Sequence, residues 1–172
     1  MRRARRVKRN GQSGAAARIA AGALAGIAGT VLLGGVRAGT QKLAPEAMPQ
    51  ERQDPGEFMV ERADARLPAQ AREEIPEKAE QAIAASTHFG YGATAGAIFG
   101  ALRSYGSGNV LLDGALFGAG VWALGYLGWL PALRLVPPVT RQTPTQISVS
   151  IAQHALYGVV TAAAYREIAK RT

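Results

Sequence analysis

His88-Phe89-Gly90-Tyr91-Gly92 and His154-Ala155-Leu156-Tyr157-Gly158 share the pattern His-x-x-Tyr-Gly at an offset of 66 residues. They hold the only two histidines of the chain, and both lie in long runs without charge. The same offset pairs Ile83 with Val149, Ala84 with Ser150, Ala95 with Thr161, Ala97 with Ala163 and Phe99 with Tyr165. At about 100° per residue, His88, Tyr91, Gly92, Ala95 and Phe99 share one helix face. His154, Tyr157, Gly158, Thr161 and Tyr165 share the equivalent one. An ionisable group inside an apolar helix is costly to expose to lipid, so this pattern predicts two membrane spans whose polar faces look into a helix bundle.

Two further uncharged stretches complete the plan. Residues 19–36, bracketed by Arg18 and Arg37, form span 1; at 1.5 Å per residue they reach about 27 Å, just enough for a bilayer core. Residues 81–102 form span 2, residues 110–133 span 3 and residues 144–165 span 4. The expected fold is all-α, an integral membrane four-helix bundle made from two duplicated helical hairpins. Gly114 to Gly118 echo Gly22 to Gly26, which extends the duplication to the first helix of each hairpin. Repeats of this kind are related by a two-fold axis along the membrane normal.

Composition agrees with that plan. The 172 residues carry a net charge of +8, and 21 of them are glycine. A mean hydropathy of zero conceals a segregation of charged blocks from apolar runs. Small residues let helix backbones approach closely in lipid, where burial of apolar surface gives no drive for association. Gly22 with Gly26, Gly92 with Gly96 and Gly100, Gly114 with Gly118, and Gly158 are the expected packing positions. There is no cysteine, which excludes disulfides and thiolate metal sites.

The charged segments fix the boundaries. Residues 1–18 are a basic arm without acidic residues; next to a span they read as a cytoplasmic flank. A cleaved signal ending near Val36-Arg37-Ala38, a transit peptide or a nucleic-acid arm are the other readings of that stretch. No specific nucleic-acid binding is expected. Residues 37–80 form an extramembrane connection with seven basic and ten acidic residues. Within it, Asp54-Pro55-Gly56-Glu57 reads as a capped helix start, running to about Leu67 with Met59, Ala63 and Leu67 on one stripe. A solvated linker is the alternative. The turn Arg103-Ser104-Tyr105-Gly106-Ser107-Gly108-Asn109 offers Ser and Asn to cap span 3, Asp113 suits its first turn and can pair with Arg103, and the short turn makes spans 2 and 3 antiparallel neighbours. Trp129 before Leu130-Pro131 fits an interfacial anchor. Thr143-Pro144-Thr145-Gln146 has the form of a capping box opening span 4. Residues 166–172 are a basic tail. Four spans put both ends on one side, and the density of positive charge beside spans 1 and 4 places that side in the cytoplasm.

The candidate intramembrane polar site is His88, Tyr91, His154, Tyr157 and Thr161. As hydrogen-bonding glue between helices these residues would be structural; hydrated, they would form a proton or solute path. Two histidines lack a convincing third metal ligand, since Asp113 lies at an edge. No catalytic constellation is present, so an enzyme, a cofactor and a metal are not expected. The expected partners are the lipid bilayer and either a second copy of the chain or another membrane subunit.

The two His-x-x-Tyr-Gly helices, the Gly-rich third span ending in Trp129-Leu130-Pro131 and the Pro137-Pro138 loop resemble the YagU-like family of small bacterial inner-membrane proteins. The resemblance covers about residues 82–165 and does not extend to the connection at 37–80. It implies a bacterial inner-membrane location and brings no established activity with it. The expected role is therefore a structural or interaction subunit, with a small pore or transporter as the alternative.

Overall fold

The computed structural model describes residues 2–66 and 76–171, and within them every regular element is helical. Helix α1 spans Arg2–Leu43, α2 Pro55–Asp64, and α3 Glu77–Leu102. Helix α4 begins as Val110–Ala123 and continues through a π-helical turn, Leu124–Trp129, into Leu130–Ala132; helix α5 spans Pro144–Ala169. Three of these are long and apolar enough to cross a membrane: Gly14–Leu43, Val110–Ala132 and Pro144–Ala169. Helix α3 has the length, but Ser86, Thr87, His88, Tyr91 and Thr94 dilute its apolar character.

The helix starts follow the local chemistry. The Asp54 carboxylate accepts from the backbone N–H groups of Gly56 (2.7 Å) and Glu57 (3.2 Å), so Pro55 at the first position loses no needed donor. Asn109 accepts from Leu111 and Leu112 at 3.0 and 3.2 Å. Thr143 and Gln146 form the reciprocal capping box. Asp113 accepts from Arg103 (2.9 Å) and from the Ser107 hydroxyl and the Ser107 and Gly108 backbone, which closes the α3–α4 turn. Gly108, with φ of +88°, provides the left-handed residue that this turn requires.

Helix α2 lies on the other helices rather than free in solvent, but on a different face from the expected stripe. Met59 is 51% exposed and Ala63 is exposed, whereas Val60 is buried and a Cβ on Gly56 would meet the Ala84 carbonyl oxygen of α3 at 2.8 Å. Gly56 and Val60, four apart, make the docking face because only glycine permits that approach. The expected end of this helix at Leu67 lies outside the described residues.

Three intimate helix contacts build the core: α1 with α3, α1 with α5, and α4 with α5. In the first, a Cβ on Gly96 would lie 2.6 Å from Cα and 2.7 Å from N of Gly26, and one on Gly22 would lie 2.9 Å from Cα of Gly100. In the third, a Cβ on Gly114 would lie 2.7 Å from the Gly158 oxygen, and one on Gly118 would lie 2.9 Å from Cα of Ala155. Gly26 thus faces Gly92 as Gly114 faces Gly158, and Thr30 faces Gly92 as Gly118 faces Gly158. The structural match between α1 and α4 is therefore one helical turn away from the Gly22–Gly26 to Gly114–Gly118 echo in the sequence. These contacts also make successive long helices antiparallel, so the start of α1 and the end of α5 lie at the same end of the packing.

Helices α3 and α4 run antiparallel beside one another, as the short turn predicts, but without backbone contact. Large side chains bridge them: Phe99 to Phe117 (ring centroids 5.1 Å apart) and Tyr91 to Trp129 (6.1 Å). The reason is a single position. On α1, Ala21, Ala25 and Gly29 face α5, and Ala25 is completely buried. The residue of α4 that matches Gly29 in the structural register is Phe117. Its ring wedges between α4 and α3 where glycine lets α1 touch α5.

Helix α4 changes pitch before its end. Pro131 has no N–H to donate and its ring crowds the preceding turn. The backbone responds with a Leu130 N–H to Gly125 carbonyl bond and a non-helical Gly128 (φ −109°, ψ −109°). The helix then stops in a Schellman motif: Leu135 N–H donates to the Leu130 carbonyl and Arg134 N–H to that of Pro131, both at 3.0 Å. Arg134 holds the left-handed position (φ 61°) that glycine usually takes. Arg134→Gly is expected to stabilise the protein by about 0.5–1 kcal/mol, the strain relieved less the extra freedom of the unfolded chain. Thermal unfolding in detergent measures it, and a lower midpoint would contradict this account.

Candidate functional site

The polar face predicted from the sequence borders a cavity of about 280 Å³ at the end of the helices where α2 docks. Helix α1 contributes Thr30, Leu33 and Arg37; α3 contributes His88 and Tyr91; α4 contributes Val121, Tyr126 and Trp129; and α5 contributes His154 and Tyr157. Glu51, Asp54 and Met59 reach it from the connection and α2. Four of the five predicted site residues therefore meet here. Thr161 does not; it is fully buried one turn deeper, against Gly29 of α1.

The two copies of the motif play unequal parts. Tyr157 is 3% exposed, and its hydroxyl donates across the packing to the Gly92 carbonyl at 3.1 Å. Tyr91 is 45% exposed and rests on Trp129. His154 is half-buried, with its Nδ1–H donating to the Ser150 carbonyl at 2.8 Å and its ring edge-on to Tyr126 at 5.6 Å. That hydrogen bond places the proton on Nδ1 in the neutral ring, which leaves Nε2 as an acceptor. His88, expected to face inward like His154, stays exposed on the cavity's open side. With the α3 and α4 backbones held apart at Phe117, Tyr91 is covered in part by the Trp129 ring, and His88 is left exposed among the described residues.

The roof comes from the segment after α1. Arg37 forms an ion pair with Glu51, and the Tyr126 hydroxyl neighbours the same guanidinium. Arg52 N–H donates to the Leu135 carbonyl at 2.8 Å, Gln153 reaches Thr40 (3.1 Å) and Met48, and Met48 is buried. This part of the charged connection is a strap packed over one end of the helices, not a solvated linker. A partly exposed ion pair of this kind contributes about 0–1 kcal/mol, so the strap is held mainly by the backbone bond to Leu135 and the buried Met48.

Arg37, Glu51, Tyr126 and Trp129 escaped the sequence reading as site residues. Arg37 stands at the boundary of an uncharged run and reads as a snorkelling flank. The spacing Gly125, Gly128, Pro131 was the available signal for the π turn, which is where Tyr126 and Trp129 enter the cavity. Such turns recur at binding sites because they re-aim side chains without ending a helix.

The cavity is blind. On the side toward the chain ends, Phe99 packs on Phe117 and Tyr165 (5.1 and 5.6 Å), and Phe117 packs on Tyr157 (6.3 Å). Ala21, Ala25 and Ala162 fill the spaces between these rings. Among the described residues no three His, Asp or Glu side chains converge as a metal site. No known protein family matches the chain, and neither a curated protein nor a solved structure shows significant similarity to it.

Proposed function

We propose that this chain is a small multi-pass protein of the bacterial inner membrane, a four-helix bundle of two related hairpins with both ends in the cytoplasm, acting as a structural or interaction subunit. The observation that carries the role is the sealed end of the packing. Glycine contacts at backbone distance lock α1 to α3 and α4 to α5, and the Phe99, Phe117, Tyr157 and Tyr165 rings close the centre. A single chain built this way suits a rigid scaffold better than a conduit. The outward leucines at 111, 116, 124 and 127 of α4, each more than 60% exposed, suit lipid or a partner's apolar surface. The shared Gly26–Gly92 and Gly114–Gly158 contacts support the duplication. Helix α3, the least apolar of the four, is covered on one side by α1 and on another by α2, which supports its place in the membrane as an inner-facing span.

The rival reading is a pore or transporter with His88 and His154 along a polar path. It draws on their common cavity, and it requires a way past the aromatic layer. Proton and small-solute flux in liposomes separates the two. The scaffold reading expects flux equal to protein-free vesicles. Flux that disappears in the His88→Ala/His154→Ala double variant would overturn it. A reporter fused to the C-terminus is expected in the cytoplasm.

A further inference from the structure

We infer that the blind cavity is a binding site for a membrane-dissolved molecule with a flat ring and a ring hydroxyl, a lipophilic phenol in chemical class, held by His154 Nε2. Three observations lead there. The first is the entrance. Because α3 and α4 do not pack backbone to backbone, side chains bridge the gap between them, Phe99 with Phe117 at the deep end and Tyr91 with Trp129 beside the cavity. Tyr91 is 45% exposed and Trp129 half-buried, and both also line the cavity. Two rings in a tilted contact can part by side-chain rotation without moving a helix. Helix α4 is one of the segments suited to a bilayer, so this opening faces lipid, and what enters must be soluble in it.

The second observation is the shape and surface. A cavity of about 280 Å³ has room for a ring and a short substituent. Tyr91, Tyr126 and Trp129 offer ring faces and edges on its walls, with Leu33 and Val121 behind them. Flat aromatic surfaces select a flat ring, since offset and edge contacts between rings add to simple burial.

The third is the polar inventory, which fixes the ligand's functional group. Most polar atoms of the walls are already engaged. The Tyr157 hydroxyl donates to Gly92, Thr30 to Gly26 and Thr87 to Ile83, and Arg37 is paired with Glu51. His88 and the Tyr91 hydroxyl have no hydrogen bond among the described residues, but both belong to exposed side chains; half-buried His154 uses Nδ1–H on Ser150 and leaves Nε2 to accept inside the cavity. An imidazole nitrogen without its proton accepts, so the complementary ligand group is a donor. A ring hydroxyl meets that need and keeps the ring planar. Once a ligand ring covers it, such an acceptor discriminates between a ligand with the donor and one without it, because the unmatched acceptor would then be desolvated.

The test uses 4-hexylphenol and its O-methyl ether, 4-hexylanisole, which has the same ring and chain without the proton. Each is titrated into detergent-solubilised Trp122→Phe protein, in which Trp129 is the only indole left to report. The expected result is saturable change of Trp129 fluorescence by the phenol at a mole fraction at least tenfold below that needed for the ether. His154→Leu is expected to reduce that preference to less than twofold with helicity unchanged. Val121→Phe, which fills the cavity without touching a polar group, is expected to abolish saturable binding of both probes and serves as the decisive variant if His154→Leu does not fold. Equal affinity for the two probes, fluorescence that changes only in proportion to partitioning, or an undiminished preference in either folded variant overturns the inference. Because the site is blind, these outcomes are independent of the flux measurement that tests the scaffold role.

Discussion

Gly96→Leu is expected to separate α1 from α3 and to cost at least about 3 kcal/mol. Gly96 sits where the two backbones are in contact: even a methyl group would stand 2.6 Å from Cα and 2.7 Å from N of Gly26. Backbone cannot rotate aside as a side chain can, so one helix must shift. The shift is not local. Gly22, Gly26, Gly92 and Gly100 lie on the same seam, and displacing α3 also pulls the Gly92 carbonyl from the Tyr157 hydroxyl. In lipid there is little apolar burial to compensate for lost packing, because the displaced surface is solvated by acyl chains as well as by another helix. Unfolding by increasing anionic detergent, followed by circular dichroism, measures the effect. Gly34→Leu is the control: nothing lies within 4 Å of a Cβ there, and stability is expected to change by less than about 0.5 kcal/mol. Equal behaviour of the two variants would mean that the seam is not where the helices are held.

Phe99→Ala has the next largest expected effect, about 2–3 kcal/mol. The residue is 6% exposed and touches Phe117 and Tyr165 in tilted and edge geometry. Truncating a buried phenylalanine in a water-soluble core costs about 3–5 kcal/mol, part of it the transfer of the side chain from water. In a membrane protein that part is reduced, since the unpacked ring would meet lipid, and what remains is lost contact and an unfilled cavity. The lower figure follows. Phe99→Leu, which refills most of the volume, is expected to recover more than half of the loss. Chemical denaturation of both variants in the same detergent checks the order. The wider consequence concerns the cavity: Phe99 is part of the layer that makes it blind. If Phe99→Ala were as stable as the parent, that layer would not be a packed one.

The α-helical class, the local capping chemistry and the character of three membrane-suited helices were legible in the sequence. They depend on residues near one another along the chain: Asp54 on the N–H groups of its own helix, Asn109 likewise, Thr143 with Gln146, Arg103 with Asp113 across one turn. The glycine positions were legible as well, because a four-residue spacing marks a helix face whatever lies opposite. Which glycine faces which was not. The sequence echo of Gly22–Gly26 in Gly114–Gly118 and the structural register differ by one turn, and a repeat of four cannot distinguish them.

The candidate site was half legible for a related reason. Histidine and tyrosine at helical spacing identified the polar faces, but a face does not reveal what covers it. His88 and His154 occupy equivalent places in the motif, yet one is exposed and the other half-buried and hydrogen-bonded to Ser150. The difference comes from residues on other helices. Gly29 admits α1 against α5, Phe117 keeps α4 from α3, and buried Met48 with the backbone bond to Leu135 fastens a strap whose charges look, in the sequence, like a solvated linker. Thus the sequence by itself determined where helices form, which ones suit a bilayer and which faces are small or polar, since those properties reside within a turn or two of chain. Only the tertiary structure decided the register of the seams, the gap between α3 and α4, and the cavity that the gap leaves. Each of these depends on the volume of a side chain measured against a backbone that is distant in sequence.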